Sequence, residues 1–100
     1  MSRRLRIEFH PAAEAELLEA ATWYRERSEK AGAAFRREVE RGVTRIAAAP
    51  ERWPDFKDGA RRCLLRRFPF SLVNRLLGDA IQILAVAHGA RRPGYWRSRR

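Results

Sequence analysis

Apolar and charged residues alternate at the start of the chain, and a helical spacing follows. Residues 5–9 read Leu-Arg-Ile-Glu-Phe, and this period of two predicts a strand with one buried face. Pro11 suits the first turn of a helix, and the apolar spacing then predicts a first helix from Pro11 to about residue 28. Its core stripe consists of Leu17, Ala21 and Tyr24, widened by Leu18 and Trp23.

The next two segments predict a second helix and a loop. Lys30-Ala31-Gly32 is expected to break the helical run, and a second stripe at helical spacing follows before Pro50. That stripe consists of Phe35, Val39, Val43 and Ile46. Residues 50–59 contain two prolines and a glycine, so they predict a loop, held down by Trp53 and Phe56.

Beyond this loop the period returns to two. Residues 63–65, 70–77 and 80–88 predict three strands, and Gly78-Asp79 predicts a tight hairpin turn between the last two. The expected fold class is therefore α+β, in the order β-α-α-β-β-β, with a helical hairpin packed on a small, mainly antiparallel twisted sheet.

The hairpin turn also predicts the register of the last two strands. If Leu77 pairs with Ala80, then Leu76 faces Ile81, Leu72 faces Ala85 and Phe70 faces Ala87. These residues should form the core face of the sheet. The opposite, partly solvated face then carries Ser71, Arg75, Gln82 and His88 among Val73, Leu84 and Val86.

Length and composition limit the class of protein. One hundred residues with 45% hydrophobic content predict a single domain over residues 1–100. The single cysteine, Cys63, cannot form an internal disulfide, and the apolar run 83–87 is far shorter than a membrane helix requires. These features favour a soluble, cytoplasmic protein. The sequence offers no metal-ligand spacing, and neither a metal nor another cofactor is expected.

The charge is strongly positive and unevenly distributed. The formal net charge is +10, with 10 basic and 8 acidic residues in 1–50 against 12 and 4 in 51–100. No acidic residue follows Asp79, so we expect a basic, disordered C-terminal tail from about residue 91. Such a surface attracts nucleic acid, the ribosome or an acidic protein partner.

Three segments resemble the RelE/ParE superfamily of toxins from bacterial type II toxin-antitoxin systems (the plasmid stabilisation family). They are residues 9–17 with Trp23-Tyr24, residues 61–70 and residues 83–96, which together span nearly the whole chain. The resemblance implies a growth-inhibiting toxin of β-α-α-β-β-β fold, held inactive by a cognate antitoxin.

One branch of this superfamily cleaves mRNA on the ribosome without metal. For that branch the resemblance implies Arg67, His88 and Tyr95 as catalytic candidates, with a proton acceptor, a proton donor and a guanidinium that stabilises the phosphorane-like charge. The candidate residues for binding RNA or another target are Arg62, Arg75, Arg91, Arg92 and Trp96.

Two other functions stay open. In the ParE-like branch, the same scaffold inhibits DNA gyrase by protein binding and lacks the full nuclease set. Here the loop after the second helix offers only Arg52 and Lys57, and Gly89-Ala90 stands where a basic residue could be expected. The third possibility is a non-toxic, basic RNA-binding domain. An antitoxin is expected to bring an apolar helix to the helical hairpin and an acidic segment to the basic sheet.

Overall fold

A computed structural model describes residues 5–55 and 59–99. The chain forms six elements: β1 (Arg6–Phe9), α1 (Pro11–Arg27), α2 (Glu29–Ala48), β2 (Arg61–Leu64), β3 (Phe70–Leu77) and β4 (Ala80–His88). The predicted order and the α+β class are confirmed. Phe56, predicted to hold the loop down, and the basic loop residue Lys57 lie outside the described residues, as do the first four residues and Arg100.

The four strands form one mixed sheet in the order β1-β4-β3-β2. β1 pairs parallel with β4, while the β4-β3 and β3-β2 pairs are antiparallel. Gly78 takes a φ of +59°, which the first central position of a tight hairpin turn requires. The sheet is therefore mainly antiparallel, as predicted, and its N-terminal strand lies beside its C-terminal one.

The helical hairpin turns at Ser28, not at residues 30–32. Ser28 is extended, with φ −166° and ψ 129°, and its side-chain oxygen accepts a hydrogen bond from the Ala31 backbone nitrogen at 3.2 Å, which starts α2. The predicted break at Lys30-Ala31-Gly32 is wrong, because Gly32 is a buried residue inside α2. A Cβ on Gly32 would lie 2.8 Å from the Cβ of Arg25, so glycine permits close approach of the two helices there.

The predicted register is correct next to the turn and wrong beyond it. Leu76 faces Ile81 as expected, but Leu72 faces Val86 and Phe70 faces His88. The reason is a β-bulge in which Leu84 has no partner in β3. One extra residue shifts all later residues of β4 to the opposite face of the sheet.

The bulge therefore changes the two faces. Val86 packs in the core between sheet and helices, whereas Ala85 and Ala87 lie in a second cluster on the other face, with Val73, Leu84 and Trp96. The main core is built on fully buried side chains from α2 and the sheet. The largest of these are Phe35, Ile46, Leu72, Ile81 and Ile83.

The aromatic residues of α1 have different environments. Tyr24 is partly buried and packs against Phe35 and Phe68, with ring centroids 5.3 Å and 4.9 Å away. Trp23 is 50% exposed and Leu18 is 48% exposed, so the prediction that they widen the core stripe is wrong. Both lie on the outer face of α1, where a partner can reach them.

Replacing Gly32 with alanine tests the close approach of the helices. Alanine favours a helix by about 1 kcal/mol over glycine, yet the clash with the backbone of Arg25 should make Gly32→Ala destabilising by about 1–3 kcal/mol. Chemical denaturation measures this difference. Gly89→Ala is the control, since its Cβ would meet only the Pro69 oxygen at 3.5 Å. A stabilised Gly32→Ala protein would contradict the packing described here.

Candidate functional site

Most of the residues predicted to bind or catalyse meet near the end of β4. A small cavity of about 80 Å³ lies where the end of β4 meets the C-terminal segment, residues 89–99. The predicted residues that line it are Arg62, His88, Arg91, Arg92, Tyr95 and Trp96. The structure thus brings together six of the eight candidates.

Arg67 and Arg75 do not join this group. Arg67 is exposed in the turn between β2 and β3 and does not line the cavity. Arg75 lies on β3, and its Nε donates a hydrogen bond to Gln82 Oε1 at 2.8 Å. The predicted trio of Arg67, His88 and Tyr95 is therefore not gathered around one point.

The C-terminal segment is folded against the domain, so the prediction of a disordered tail is wrong for residues 91–99. Trp96 is only 3% exposed and packs with Val73, Leu84 and Ala85 on the sheet face away from the helices. Because burial of a large aromatic side chain offsets the entropy of ordering this segment, Trp96 has a packing role.

A single carboxylate on α1 anchors the same segment. Glu16 Oε1 accepts hydrogen bonds from Arg99 Nη1 at 2.9 Å and from the backbone nitrogen of Val86 at 3.0 Å. Its Oε2 accepts from the Tyr95 hydroxyl at 2.7 Å and from Arg99 Nη2 at 3.0 Å. Arg99 also donates to the Leu84 carbonyl at 2.9 Å. Each carboxylate oxygen therefore has two donors, and Arg99 binds in the bidentate manner.

The position of this anchor follows from the strands. β1 ends at Phe9, which pairs with Ile83, and the bulge begins at the next residue of β4. From that point β4 has no neighbour in β1. The backbone groups of Leu84 and Val86 bind Arg99 and Glu16 instead, so side chains satisfy groups that a longer β1 would have paired.

The network shifts the pKa of both acids in it. Burial raises the pKa of the Glu16 carboxyl, but the hydrogen bonds from Arg99, Tyr95 and Val86 outweigh burial and hold that pKa below its ordinary value. Burial raises the pKa of the Tyr95 phenol, and the hydrogen bond to Glu16 and its negative charge raise it further. Tyr95 is therefore a neutral donor, and the phenolate that a general base requires is strongly disfavoured.

His88 has a local hydrogen-bond role. Its Nδ1 accepts from the Ala90 backbone nitrogen at 2.9 Å, as Nδ1 of His10 accepts from Ala12 at 3.0 Å. An accepting Nδ1 assigns the proton of the neutral ring to Nε2. The ring packs edge-on against Phe70 at 5.0 Å, on the helix side of the sheet, so the prediction that His88 lies on the opposite face is wrong because of the bulge.

A larger hollow lies on the helix side of the C-terminal segment. This α1 hollow has a volume of about 380 Å³, and its apolar lining includes Ala20, Trp23, Phe70 and Val86. Glu19, His88, Arg91 and Tyr95 supply its polar part. The Arg91 guanidinium stacks on the Tyr95 ring at 3.9 Å. Its aromatic and aliphatic walls suit an apolar side chain.

The described part of the chain contains neither a metal-ligand cluster nor a helix that could cross a membrane. Within residues 5–55 and 59–99, no group of three or more His, Cys, Asp or Glu side chains is arranged to hold a metal ion. None of the helices in that part of the chain is long and apolar enough to cross a membrane.

Glu16 was not among the residues predicted from the sequence. Glu16 lies in the first turns of α1, where an acidic side chain is favoured by the helix dipole. The same is true of Glu14 and Glu19. What distinguishes Glu16 from Glu14 and Glu19 is its contact with Tyr95 and Arg99. Those residues are distant in the sequence, and their pairing with Glu16 depends on how the chain turns after β4.

Substituting Glu16 tests the anchor. Glu16→Gln should lower the free energy of unfolding by about 2–3 kcal/mol at pH 7, because Arg99 loses its charged partner in a largely buried site. Because the folded-state pKa is lowered, the stabilisation is fully present above the ordinary glutamate pKa of about 4.3 and is lost as the pH falls through the folded value.

Denaturation of the wild type and variant at pH 7 and at about pH 3 measures both effects. The matched control is Glu19→Gln, an exposed neighbour on α1, which should change stability by less than about 0.5 kcal/mol. Equal effects of the two substitutions, or a Glu16 effect that does not change with pH, would contradict this assignment.

Known proteins are similar to this chain over most of its residues. Residues 7–93 match the family model for the ParE toxin of the type II toxin-antitoxin system parDE. Toxin ParE2 from two strains of Mycobacterium tuberculosis, CDC 1551 / Oshkosh and H37Rv, is 32% identical over 94 residues, covering 93% of this chain and 88% of the relative.

A solved structure is similar over most of the chain. It is described as the chromosomal ParDE TA system from P. aeruginosa, with a TM-score of 0.74, 26% identity and coverage of 87% of this chain and 98% of that one. With the two helices on a four-stranded mixed sheet, these matches show that the chain belongs to the ParE toxin family of type II toxin-antitoxin systems.

Proposed function

We propose that this toxin arrests growth by binding a protein target, DNA gyrase, and that it does not cleave mRNA. The observation that carries the proposal is the hydrogen bond of Tyr95 to Glu16 at 2.7 Å. A residue fixed as a neutral donor inside an ion pair serves to hold the C-terminal segment in shape. A shaped surface is what binding a protein requires.

The chemistry of RNA cleavage argues in the same direction. Attack by the 2′-hydroxyl requires a base within hydrogen-bond reach and a cation at the phosphate. The raised pKa of Tyr95 disfavours the phenolate that would act as the general base. The Nδ1 of His88 accepts a backbone hydrogen bond, which leaves Nε2 as a donor. Arg67, the cation expected to contact the phosphate, lies in the turn between β2 and β3, away from His88 and Tyr95. These three observations weigh against the nuclease.

One observation favours the nuclease as a second candidate. His88, Arg91, Arg92 and Tyr95 line the same small cavity, so cationic and aromatic groups do converge there. The ribosome could reorganise them. The third possibility, a harmless RNA-binding domain, has no support in the comparisons.

The partner that would keep the toxin inactive is a cognate antitoxin. The similarity to a ParDE system supports this partner. The α1 hollow, which half-exposed Trp23 helps to line, offers an apolar pocket for an antitoxin side chain. Half-exposed Leu18 lies on the same helix. Action in the cytoplasm follows from this proposal, since both gyrase and the antitoxin would be met there.

The test uses the purified protein in two reactions. In a cell-free translation reaction, primer extension along the message should find no new 5′ ends. In a supercoiling reaction, gyrase should be inhibited, while topoisomerase I relaxes the same plasmid at its normal rate. The second enzyme controls for coating of the DNA by a protein of charge +10.

The two outcomes separate the candidates. New cleavages that require ribosomes, with gyrase unaffected, would establish the nuclease and contradict the proposal. Equal inhibition of gyrase and topoisomerase I would also contradict it, because DNA coating would then explain the effect.

A further inference from the structure

A second basic site lies along α2, next to the turn between β2 and β3. A groove of about 650 Å³ runs between α2 and the β2-β3 turn. Its side chains are Arg37, Arg41 and Arg45 on α2, Arg66 from the turn, and Glu38 and Glu40, with one threonine. We call this the arginine groove, and none of its residues was among the candidates from the sequence.

The arginine groove has a net positive charge, because its four arginines outnumber its two glutamates. Glu38 is 4% exposed, and its oxygens accept from the Arg66 backbone nitrogen at 3.3 Å and from Arg41 Nη1 at 3.2 Å. Glu38 therefore fixes the wall of the groove and neutralises Arg41. The side chains of Arg37 and Arg66 are exposed and form no ion pair with the described residues.

The spacing of the arginines is unfavourable for the isolated helix. Arg37, Arg41 and Arg45 follow one another at i, i+4 and i+8, so like charges are neighbours along one face of α2. A bound anion relieves this repulsion. Arginine also suits phosphate, because its planar guanidinium can donate two parallel hydrogen bonds.

The lining selects among anionic partners. A protein segment that binds firmly needs apolar or aromatic anchors, and single-stranded nucleic acid needs aromatic side chains on which bases stack. Among the described residues lining the groove, none is aromatic and none is aliphatic. Contacts to backbone phosphates require neither, and they carry no sequence information.

We propose that the arginine groove binds the phosphate backbone of duplex DNA without sequence preference. The choice of DNA over RNA rests on the proposed function, because gyrase holds duplex DNA and a toxin bound to it would lie next to that duplex. Contact with the backbone then adds affinity for the enzyme in its DNA-bound state.

The test measures binding of the isolated protein to a short fluorescent DNA duplex by anisotropy at several salt concentrations. Arg37→Gln combined with Arg66→Gln removes two charges from the groove. The expected result is affinity reduced by roughly tenfold and a plot of log affinity against log salt that is shallower by about 2.

The matched control is Arg25→Gln combined with Lys30→Gln. Both residues are exposed near the helical turn, and both line none of the cavities described above. This variant has the same net charge as the groove variant and should bind DNA within about twofold of the wild type. Thermal unfolding of each variant checks that the fold is intact.

Three results would overturn the inference. They are absence of wild-type binding to the duplex at low salt, equal losses in the groove and control variants, and stronger binding to a glutamate-rich peptide or an RNA duplex than to DNA. The anisotropy measurement contains no gyrase, so a negative result there does not change the supercoiling result. The DNA-binding inference and the proposed inhibition of gyrase can therefore be rejected independently.

Discussion

The carboxylate of Glu16 joins three parts of the chain that are far apart in sequence. It binds the Val86 backbone on β4, the Tyr95 hydroxyl and the Arg99 guanidinium, 70 to 83 residues away. The C-terminal segment, residues 89–99, forms no strand or helix. Its position depends on this ion pair and on the burial of Trp96 on the sheet. The small cavity and one wall of the α1 hollow exist only when that segment is in place.

The arrangement has a cost that its geometry offsets. A carboxylate and a guanidinium that are each about five-sixths buried lose much of their hydration. Bidentate pairing and two further donors restore the lost hydrogen bonds. The same contacts raise the pKa of Tyr95, so one of the residues that the nuclease hypothesis uses for proton transfer has a structural role.

Much of the fold follows from local patterns in the sequence. The alternation in residues 5–9 and the two apolar stripes predict β1, α1 and α2, and Gly78-Asp79 predicts the turn with its first pairs. The bulge at Leu84 could not be predicted. Residues 83–87 are all apolar, so the sequence does not indicate which of them lacks a partner in β3. That single residue decides the faces of Val86 and His88.

The site was harder to predict for a related reason. Local composition indicated that the C-terminal arginines were a solvated tail, yet Arg99 has a specific acid on α1. Arg62, Arg91, Arg92 and Tyr95 were named as candidates because of the family resemblance, and the sequence did not show that they line one cavity. The arginine groove was missed because its members come from α2 and from a turn.

Charge in this toxin is used in two ways. Two acids that contact arginines, Glu16 and Glu38, are partly or fully buried and hold backbone or side chains in position. Glu8, Asp55 and Asp79 also pair with arginines, but at the surface. Exposed arginines such as Arg37 and Arg66 can meet anions, which suits a protein whose proposed target works on DNA. Catalysis is not needed to explain either set.

Hydrogen exchange at the backbone amides of Arg97 and Arg99 tests the central claim, that Glu16 holds the C-terminal segment on the domain. These amides donate to Gly94 and Trp96 at 3.0 Å and 2.9 Å. The account predicts slow exchange in the wild type at pH 7 and exchange close to the unstructured rate in the Glu16→Gln protein. Fast exchange in the wild type, or equal protection in both proteins, would contradict it.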